Sequence, residues 1–286
     1  MSPPRAVSVI THARADVTAE ALHALSAAAV EADVTLRLGV EEREKHAETI
    51  GALAALEPGA ATGGEIELCV ALGGDGTILR ALRCHARTRA PVFAVNFGEV
   101  GFLATVEPAE LRSGFERALA GELEMLSLPA IELDTPAGTQ TAINDVSVHR
   151  RPGERVAELS YSLGGEEVGS VRCDGLVVAT PAGSTGYNLA NGGPVMAWGV
   201  EGMVVSFIAP HTLTARALVI APGDVLTLKN RSRRAVDLSV DGRPIEPIGP
   251  GEEIDARFVD DVAKLVQVNG SSFYRRLREK FGRLSR

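Results

Sequence analysis

A glycine-rich stretch at residues 73–77, Gly-Gly-Asp-Gly-Thr, limits the folds open to this chain more than any other segment. It follows an apolar run at residues 68–72 that predicts a buried strand, and a helical pattern begins directly after it at Ile78. Glycine permits backbone conformations that other residues avoid, and N–H groups at the start of a helix attract anions. The stretch therefore predicts a phosphate-binding loop, in which Thr77 caps the helix and the Asp75 carboxylate is free to reach a ligand. An ordinary Asp-Gly turn is the alternative, and a Walker A loop is excluded because no Lys follows the last glycine.

The first third of the chain alternates apolar runs with helical patterns. Strands are expected at residues 6–10, 34–38, 68–72 and 92–96, and helices at residues 16–33, at residues 41–56 and after the glycine loop. Such a βαβα series predicts a mainly parallel sheet with helices on its faces. Ligands of these sheets bind beyond the carboxyl ends of the strands, where the glycine loop and a second loop at residues 96–102 both fall. The two loops are therefore expected to lie close enough to share one ligand.

The residue pattern changes from helical to β-rich after one further helical pattern within residues 108–121. Short β-rich runs then alternate with Gly, Pro, Asn and Asp up to about residue 268. We therefore expect an α/β domain over residues 1–123 and an all-β domain, built as a sandwich or as stacked sheets, over residues 124–270. Residues 271–286 are expected to form a last helix that packs back on the first domain.

Composition and charge limit the function classes. The formal net charge of −8 disfavours nucleic acid or an acidic membrane surface as a partner, although a local basic pocket for nucleotide phosphates is compatible with it. The basic run at residues 275–278 is expected to be a solvated helix face. Three widely spaced cysteines without a Cys-x-x-Cys pair indicate neither a disulfide framework nor a zinc site. The N-terminal apolar run is too short for a signal peptide, and no run approaches the ~18 residues that span a membrane, so we expect a cytoplasmic protein.

Two further segments carry polar groups suited to a nucleotide. The stretch at residues 174–188 predicts a buried strand that leads into a loop with hydroxyls, amides and one aromatic ring, which suits hydrogen bonding and stacking. Its alternative is an ordinary hairpin crossing with a buried tyrosine. The pair Asn144-Asp145 combines an amide with a carboxylate, which suits a ribose diol, and its alternative is a simple bend at a strand edge.

These segments together resemble the NAD kinase family, which consists of ATP:NAD 2′-phosphotransferases. The resemblance covers nearly the whole chain and is carried by residues 73–77, 95–103, 144–145, 174–187, 192–194, 210–213, Arg216 and 240–242. The glycine loop is also shared with diacylglycerol and sphingosine kinases and resembles one in phosphofructokinases. The long stretch over residues 174–194 is more specific to NAD kinases.

The resemblance implies that residues 1–123 form an α/β nucleotide-binding domain and that residues 124–270 form an all-β NAD-binding domain. It places the active site between them, in a homodimer or homotetramer. It implies transfer of a phosphoryl group from ATP, or from polyphosphate, to the adenosine-ribose 2′-hydroxyl of NAD, which gives NADP. Mg²⁺ or another divalent metal is the implied cofactor, and NAD and ATP are the implied partners.

By the same resemblance, Asp75 is the catalytic carboxylate and a candidate metal ligand. The residues expected to bind substrate or nucleotide are Gly73, Gly74, Gly76, Thr77, Phe102, Asn144, Asp145, Arg172, Asp174, Thr185, Gly186 and Tyr187. Phe102 is expected near the adenosine, and Asn144 and Asp145 at the ribose. Asp174 is expected at the nicotinamide end, and Thr185 with Tyr187 at the adenine.

The sequence departs from the family pattern at three positions of the expected site. The family usually has Glu where this chain has Asp145, Ala where it has Gly186, and Ser where it has Ala190. The first change keeps the charge but shortens the side chain by one methylene, and the last removes a hydroxyl.

Two other function classes remain open on the sequence. A lipid kinase of the diacylglycerol kinase type would share the loop around Asp75, but it needs an apolar lipid cleft or a basic membrane-facing surface. A non-catalytic NAD(P)-binding module would bind a dinucleotide without turnover, and it has no use for Asp75. Assays of NADP and phosphatidate formation distinguish the three classes.

Overall fold

A computed structural model describes most of the chain. The described residues are 1–53, 55–56, 61–86, 88–98, 101–104, 106–135, 138–268 and 273–284. Glu99 and Val100 in the expected second loop, and residues 271–272 of the expected last helix, lie outside these ranges. The chain divides into two compact units, one formed by Met1–Ser127 with Val262–Arg286 and the other by Leu128–Asp261.

Helices and strands alternate up to residue 119, and the elements that follow are mostly strands. The helices are α1 (Ala19–Glu31), α2 (Val40–Lys45), α3 (Asp75–His85), α4 (Leu111–Leu119), α5 (Tyr187–Ala190) and α6 (Phe273–Leu284). The strands are β1 (Ala6–Thr11), β2 (Thr35–Leu38), β3 (Leu68–Gly73), β4 (Val92–Asn96), β5 (Leu123–Thr135), β6 (Gly138–Ala142), β7 (Asp145–Arg150), β8 (Ala157–Leu163), β9 (Glu166–Cys173), β10 (Gly175–Ala179), β11 (Met203–Ile208), β12 (Leu218–Ile220), β13 (Val225–Asn230), β14 (Val236–Val240), β15 (Arg243–Pro244) and β16 (Glu253–Val268). Among the described residues, no helix is long and apolar enough to cross a membrane.

The first unit contains the expected parallel sheet. Its strands lie in the order β2-β1-β3-β4, and the C-terminal part of β16 adds a further parallel strand beside β4. Every residue of β3 and β4 is buried, which is typical of a parallel strand covered on both faces. The α/β class of this unit is therefore confirmed.

One helix of the first unit is much shorter than expected. The helix expected over residues 41–56 ends at Lys45, and a short 3-10 turn at Ile50–Ala52 follows it. Residues 41–49 are mostly charged or polar, so a longer helix would have no apolar stripe to bury. Glu42 is the buried residue of α2, and it is held by hydrogen bonds from the Thr11 backbone N–H and hydroxyl.

The second unit is built from antiparallel strands, which agrees with the expected all-β class. One antiparallel sheet has the order β12-β11-β10-β7-β14-β15. The other pairs β9, β8, β13 and the N-terminal part of β16, also antiparallel. A single apolar core contains side chains of both sheets, such as Leu176 and Val205 from the first and Leu226 and Ile254 from the second. Stacked sheets around one core are confirmed as the architecture of this unit.

We expect Gly175→Ala to destabilise the second unit. Gly175 begins the central strand β10, and an added Cβ would lie 2.2 Å from the Val148 carbonyl oxygen of the paired strand. Backbone atoms cannot move aside cheaply, so the free energy of unfolding should fall by about 1–3 kcal/mol. Urea unfolding measures this, with Gly199→Ala as the control, because nothing lies within 4 Å of a Cβ at Gly199. Equal stability of the two variants would contradict the packing described for β10.

Candidate active site

The glycine loop joins β3 to α3 in an abrupt turn. Strand β3 ends at Gly73 and helix α3 begins at Asp75, with Gly74 as its extended N-cap residue. The expectation that Thr77 caps the helix is wrong, because Thr77 is already the third residue of α3. Its side chain fills the space beside Gly73, where an added Cβ would lie 2.3 Å from Thr77 Oγ1. The early start places Asp75 in the first turn, where the helix dipole favours negative charge.

The loop after β4 comes against the glycine loop, as expected for neighbouring parallel strands. Gly73 pairs with Asn96 where the two strands end, and a Cβ on Gly98 would lie 3.1 Å from the Gly74 Cα. The Asn96 side chain shapes this loop: its Oδ1 accepts the Gly98 N–H at 3.0 Å, and its Nδ2 donates to Glu107 at 3.2 Å. The two loops therefore form one surface at the carboxyl end of the sheet.

The carboxylate of Asp75 is not free, contrary to expectation. The Phe102 N–H donates to Oδ2 at 3.1 Å, and the Leu103 N–H donates to Oδ1 at 3.3 Å. The backbone at Phe102 and Leu103 therefore lies against Asp75, a long-range contact that local sequence does not show. The Phe102 side chain is only 6% exposed, so this residue reaches the carboxylate through its backbone. Each carboxylate oxygen keeps a further lone pair for a ligand.

The surroundings of Asp75 tune its proton affinity. Burial raises the pKa of Asp75 above its ordinary value. The N–H groups of Phe102 and Leu103 oppose this rise in pKa, followed by the positive charges of Lys280 and Arg276. A carboxylate with a raised pKa is a stronger proton acceptor than an ordinary surface carboxylate.

The basic run on α6 is only partly solvated. Arg275 and Arg278 are exposed, as expected, but Arg276 is only 8% exposed. The expectation of a solvated face is therefore wrong for Arg276, whose Nη1 donates to the Ala104 carbonyl at 3.4 Å. The charge pattern alone did not show which side of the helix is covered.

In the second unit, Asp241 organises the segment that carries Asn144 and Asp145. Asp241 and Gly242 form the two-residue turn between β14 and β15, with φ of 47° and 72°, the positive values of a type I′ hairpin. The Asp241 carboxylate accepts the N–H groups of Ile143, Asn144 and Asp145 at 3.1, 2.7 and 3.2 Å. The bend predicted as the alternative for Asn144-Asp145 is therefore present, and it is built by a third residue.

The side chains of Asn144 and Asp145 both lie in unusual polar environments. Asn144 Oδ1 is buried, and it has no hydrogen-bond partner among the residues that the structure describes. Burial, followed by the negative charge of Asp241, raises the pKa of Asp145 to about 7. Buried polar groups are normally paired, so an orphaned acceptor beside a half-ionised carboxyl indicates a place for a polar ligand.

The loop after β10 packs directly on this bend. The Thr180 hydroxyl donates to the Ile143 carbonyl at 2.7 Å and accepts the Gly183 N–H at 3.1 Å. A Cβ on Gly183 would lie 2.0 Å from the Asn144 carbonyl oxygen, so only glycine fits there. The Thr185 hydroxyl donates to the Ala182 carbonyl at 3.2 Å. The structure thus brings two separate sequence segments into contact.

Tyr187 presents an accessible aromatic ring beside these residues. It is 37% exposed, which contradicts the alternative of a buried tyrosine, and it stacks on His149 with ring centroids 5.5 Å apart and planes at 14°. Burial, followed by the negative charge of Asp145, raises the pKa of Tyr187. Gly186, which precedes the ring, is exposed.

Asp174 and Arg172 lie at the far end of β10 from Thr180. The Asp174 carboxylate pairs with Arg150, with Nε to Oδ1 at 2.6 Å and Nη2 to Oδ2 at 3.3 Å, and this partner holds the pKa of Asp174 below its ordinary value. Arg172 is exposed and lines a cleft of about 570 Å³ with His211 and Arg216. A bidentate ion pair leaves Asp174 ordered and partly exposed.

Sequence reasoning did not select three residues of this arrangement as site residues. Asp241 had a signal, since an Asp-Gly pair between two β-rich runs marks a hairpin turn and lies in one of the resembling segments. His149 and Arg150 had none, because each gains its role only when Tyr187 or Asp174 is folded against it.

Comparison with known proteins gives matches along most of the chain. A family model described as the ATP-NAD kinase N-terminal domain matches residues 13–123, and one described as the ATP-NAD kinase C-terminal domain matches residues 143–268. The NAD kinase of Natranaerobius thermophilus is 33% identical over 282 residues, which cover 96% of this chain and 97% of that protein. The NAD kinase of Symbiobacterium thermophilum is 36% identical over 223 residues, which cover 76% and 79%.

Solved structures have the same fold. The crystal structure of yeast NADH kinase complexed with NADH aligns with a TM-score of 0.85 at 24% identity, covering 99% of this chain and 89% of that one. An NAD kinase from Archaeoglobus fulgidus in complex with ATP aligns with a TM-score of 0.75 at 23% identity, covering 98% of both chains. From the two domain models and the full-length relative, we conclude that this chain belongs to the NAD kinase family.

Proposed function

We propose that this protein is an NAD kinase that transfers the terminal phosphoryl group of ATP to the adenosine-ribose 2′-hydroxyl of NAD, forming NADP. The observation that carries the proposal is the Asp75 carboxylate, which lies in the first turn of α3 beside a glycine loop and has a raised pKa. Phosphoryl transfer needs alignment of the reactants and stabilisation of spreading negative charge more than it needs a covalent nucleophile. A proton acceptor next to a loop of N–H donors meets both needs.

The glycine loop is the proposed site of the donor phosphates. The first N–H groups of a helix have no acceptor within the helix. In α3 the Thr77 N–H already donates to the Gly74 carbonyl at 2.9 Å, so the N–H groups of Asp75 and Gly76 are the ones proposed to meet an anion. Gly76 is exposed, and nothing lies within 4 Å of a Cβ built on it. The packing of the protein therefore does not require glycine there, whereas close approach of a phosphate to the backbone would.

Asp75 is the proposed general base. As the 2′-hydroxyl oxygen attacks the terminal phosphorus, its proton passes to a carboxylate oxygen of Asp75. The bond from that phosphorus to the bridging oxygen breaks, and ADP leaves with the electron pair. The two backbone N–H donors hold the carboxylate in one orientation and leave lone pairs for the hydroxyl.

Asp75 also fits the role of a protein ligand for Mg²⁺. Among the described residues, no three His, Cys, Asp or Glu side chains come together as a metal-binding group. Mg²⁺ that acts with a nucleotide is usually held by one or two carboxylates together with phosphate oxygens and water, so a lone Asp75 is compatible with it. Bound in that way, the metal would neutralise charge on the transferring phosphoryl group.

The second unit is the proposed binding site for the dinucleotide. The orphaned Asn144 Oδ1 can accept a hydrogen bond from a ribose hydroxyl or a base amine, and the Asp145 carboxyl can either donate or accept near neutral pH. The exposed Tyr187 ring offers a face to the adenine, and Thr185 lies in the same turn. We assign the nicotinamide end to Asp174, whose Arg150 partner keeps its carboxylate ionised for the carboxamide N–H.

The second unit also supports the proposed self-association into a homodimer or homotetramer. Large apolar side chains on its surface are exposed, among them Leu213 at 93%, Val219 at 51% and Val168 at 48%. Such side chains favour contact with another protein surface where they form one continuous apolar patch.

We expect purified protein incubated with ATP and Mg²⁺ to form NADP from NAD and no phosphatidate from diacylglycerol. Enzymatic cycling measures NADP, and thin-layer chromatography with labelled ATP measures phosphatidate. Phosphatidate without NADP would favour the lipid kinase. Saturable NAD binding without either product would favour the non-catalytic module.

We expect Asp75→Asn to reduce kcat by ~10²–10⁴, because a general base contributes about that much to the rate. Asparagine keeps the size and one acceptor for the backbone N–H groups, so the KM for NAD should change severalfold at most. Steady-state kinetics and a thermal melt measure the two effects. Asp16→Asn, an exposed carboxylate near α1, is the control and should keep normal turnover. A near-normal kcat in Asp75→Asn would contradict the general-base role and leave Asp75 only a role in the turn.

We expect Asp145→Asn to change how stability depends on pH. The folded protein raises the pKa of Asp145 from 3.8 to about 7, so its protonated carboxyl contributes stability that is complete below about pH 4 and is lost as pH rises through 7. The variant should therefore gain at least about 1 kcal/mol over wild type at pH 8 compared with pH 5. Urea unfolding at both pH values measures this. Glu201→Gln, at an exposed site of the same unit, should show no such gain, and an equal gain there would contradict the assignment.

A further inference from the structure

Helix α6 concentrates positive charge in an acidic chain. Its residues 273–282 carry the cations Arg275, Arg276, Arg278 and Lys280 and the single carboxylate Glu279, whereas the whole chain has a formal net charge of −8. Two of the cations, Arg275 and Arg278, are exposed, and Arg275 pairs with Glu279 at 2.9 Å. The other two differ, because Arg276 is 8% exposed and Lys280 is half-buried.

Arg276 and Lys280 share the inner face of the helix. Residues four apart in a helix lie one above the other on the same side. On this side the Arg276 guanidinium donates to the Ala104 carbonyl at 3.4 Å. The Phe281 ring, which follows Lys280, meets the Phe102 ring edge at a centroid distance of 6.2 Å. An inward pair of cations is unusual for a helix packed on a protein surface, where apolar side chains normally face inward.

The segment that this face contacts is the one that holds Asp75. The N–H groups of Phe102 and Leu103 donate to the Asp75 carboxylate, and the Phe102 ring and the Ala104 carbonyl contact α6. The segment at residues 102–104 therefore contacts both α6 and the proposed general base, Asp75. All of these residues belong to the first unit.

The positive charges of Lys280 and Arg276 act on the Asp75 carboxyl, where they oppose the rise in pKa that burial causes. Burial lowers the pKa of Arg276 to about 10, and the charges of Asp75 and Glu279 oppose this shift. Arg276 thus remains positively charged near neutral pH, and a buried cation is costly unless an anion accompanies it. Even with both anions counted, Arg275, Arg276, Arg278 and Lys280 outnumber Asp75 and Glu279 by four charges to two. This excess of positive charge suits an anionic ligand that binds beside Asp75.

We propose that Arg276 and Lys280 bind the polyphosphate chain of the phosphoryl donor at the glycine loop. The inference rests on the proposed function, because it assigns the donor phosphates to that loop. Lys280 acts as a movable point charge that reaches a phosphate oxygen, and Arg276 supplies a fixed guanidinium behind it. Positive charge there stabilises the negative charge that spreads over the phosphoryl oxygens during transfer.

Lys280→Gln is the main test, because Lys280 is half-exposed and its loss should not unfold the protein. We expect the Kd of Mg-ATP, measured by isothermal titration calorimetry, and the KM for ATP to rise by about 10–100-fold, the effect of losing a charged hydrogen bond. The affinity for adenosine, which has no phosphate, and the KM for NAD should stay within about twofold. Lys280→Arg should restore most of the ATP affinity.

Arg278→Gln is the matched control, since it removes the same charge from the exposed face of the same helix. It should weaken ATP binding much less than Lys280→Gln. Arg276→Lys tests the second cation while keeping its charge, and a thermal melt checks that it folds. Inorganic tripolyphosphate should compete with ATP in the wild type and should lose potency in Lys280→Gln.

The outcomes separate this inference from the proposed function. Equal effects of Lys280→Gln and Arg278→Gln would overturn the inference, as would a parallel loss of affinity for ATP and adenosine. Absence of NADP formation by the wild type would overturn the proposed function. In that case a selective loss of ATP and tripolyphosphate binding in Lys280→Gln would still support the phosphate site.

Discussion

Two backbone N–H groups hold the carboxylate of Asp75, and the arrangement of the first unit around the glycine loop depends on these hydrogen bonds. They tie the start of α3 to the segment at residues 102–104, which in turn contacts α6. A carboxylate at a helix N-terminus is already favoured by the dipole, and the two donors fix its direction. Elements far apart in sequence are thereby gathered around one carboxyl group.

The second unit uses the same interaction for a different purpose. Asp241 accepts three successive N–H groups and so bends the chain at residues 143–145. Its charge also disfavours ionisation of the neighbouring Asp145, whereas the neighbours of Asp75 include two cations. Asp75 and Asp241 thus both accept backbone N–H groups, but Asp75 has cations as charged neighbours, whereas Asp241 has the carboxyl group of Asp145. The cationic surroundings suit phosphate, and the anionic surroundings suit hydroxyl and amine donors.

Glycines set how closely the segments approach one another. Gly183 lies against the Asn144 carbonyl, and Gly73 lies against the Thr77 side chain, so a Cβ at either position would overlap its neighbour. Gly76 differs because the space beside it is open. Glycines that the packing requires can thus be told apart from one with open space beside it, although all of them look alike in the sequence.

The sequence by itself determined the order of strands and helices, the α/β and all-β character of the two units, and the strand, glycine loop and helix around Asp75. These follow from local periodicity and from the conformational freedom of glycine, which adjacent residues are enough to specify. The end of α2 was misplaced because residues 41–49 are mostly charged or polar and offer no apolar stripe for a longer helix. The start of α3 was misplaced because Gly74, not Thr77, is the N-cap residue. Only the tertiary structure decided that Arg276 is buried, that Asp241 shapes the bend and that Tyr187 stacks on His149, since each depends on residues distant in the chain that meet only after folding.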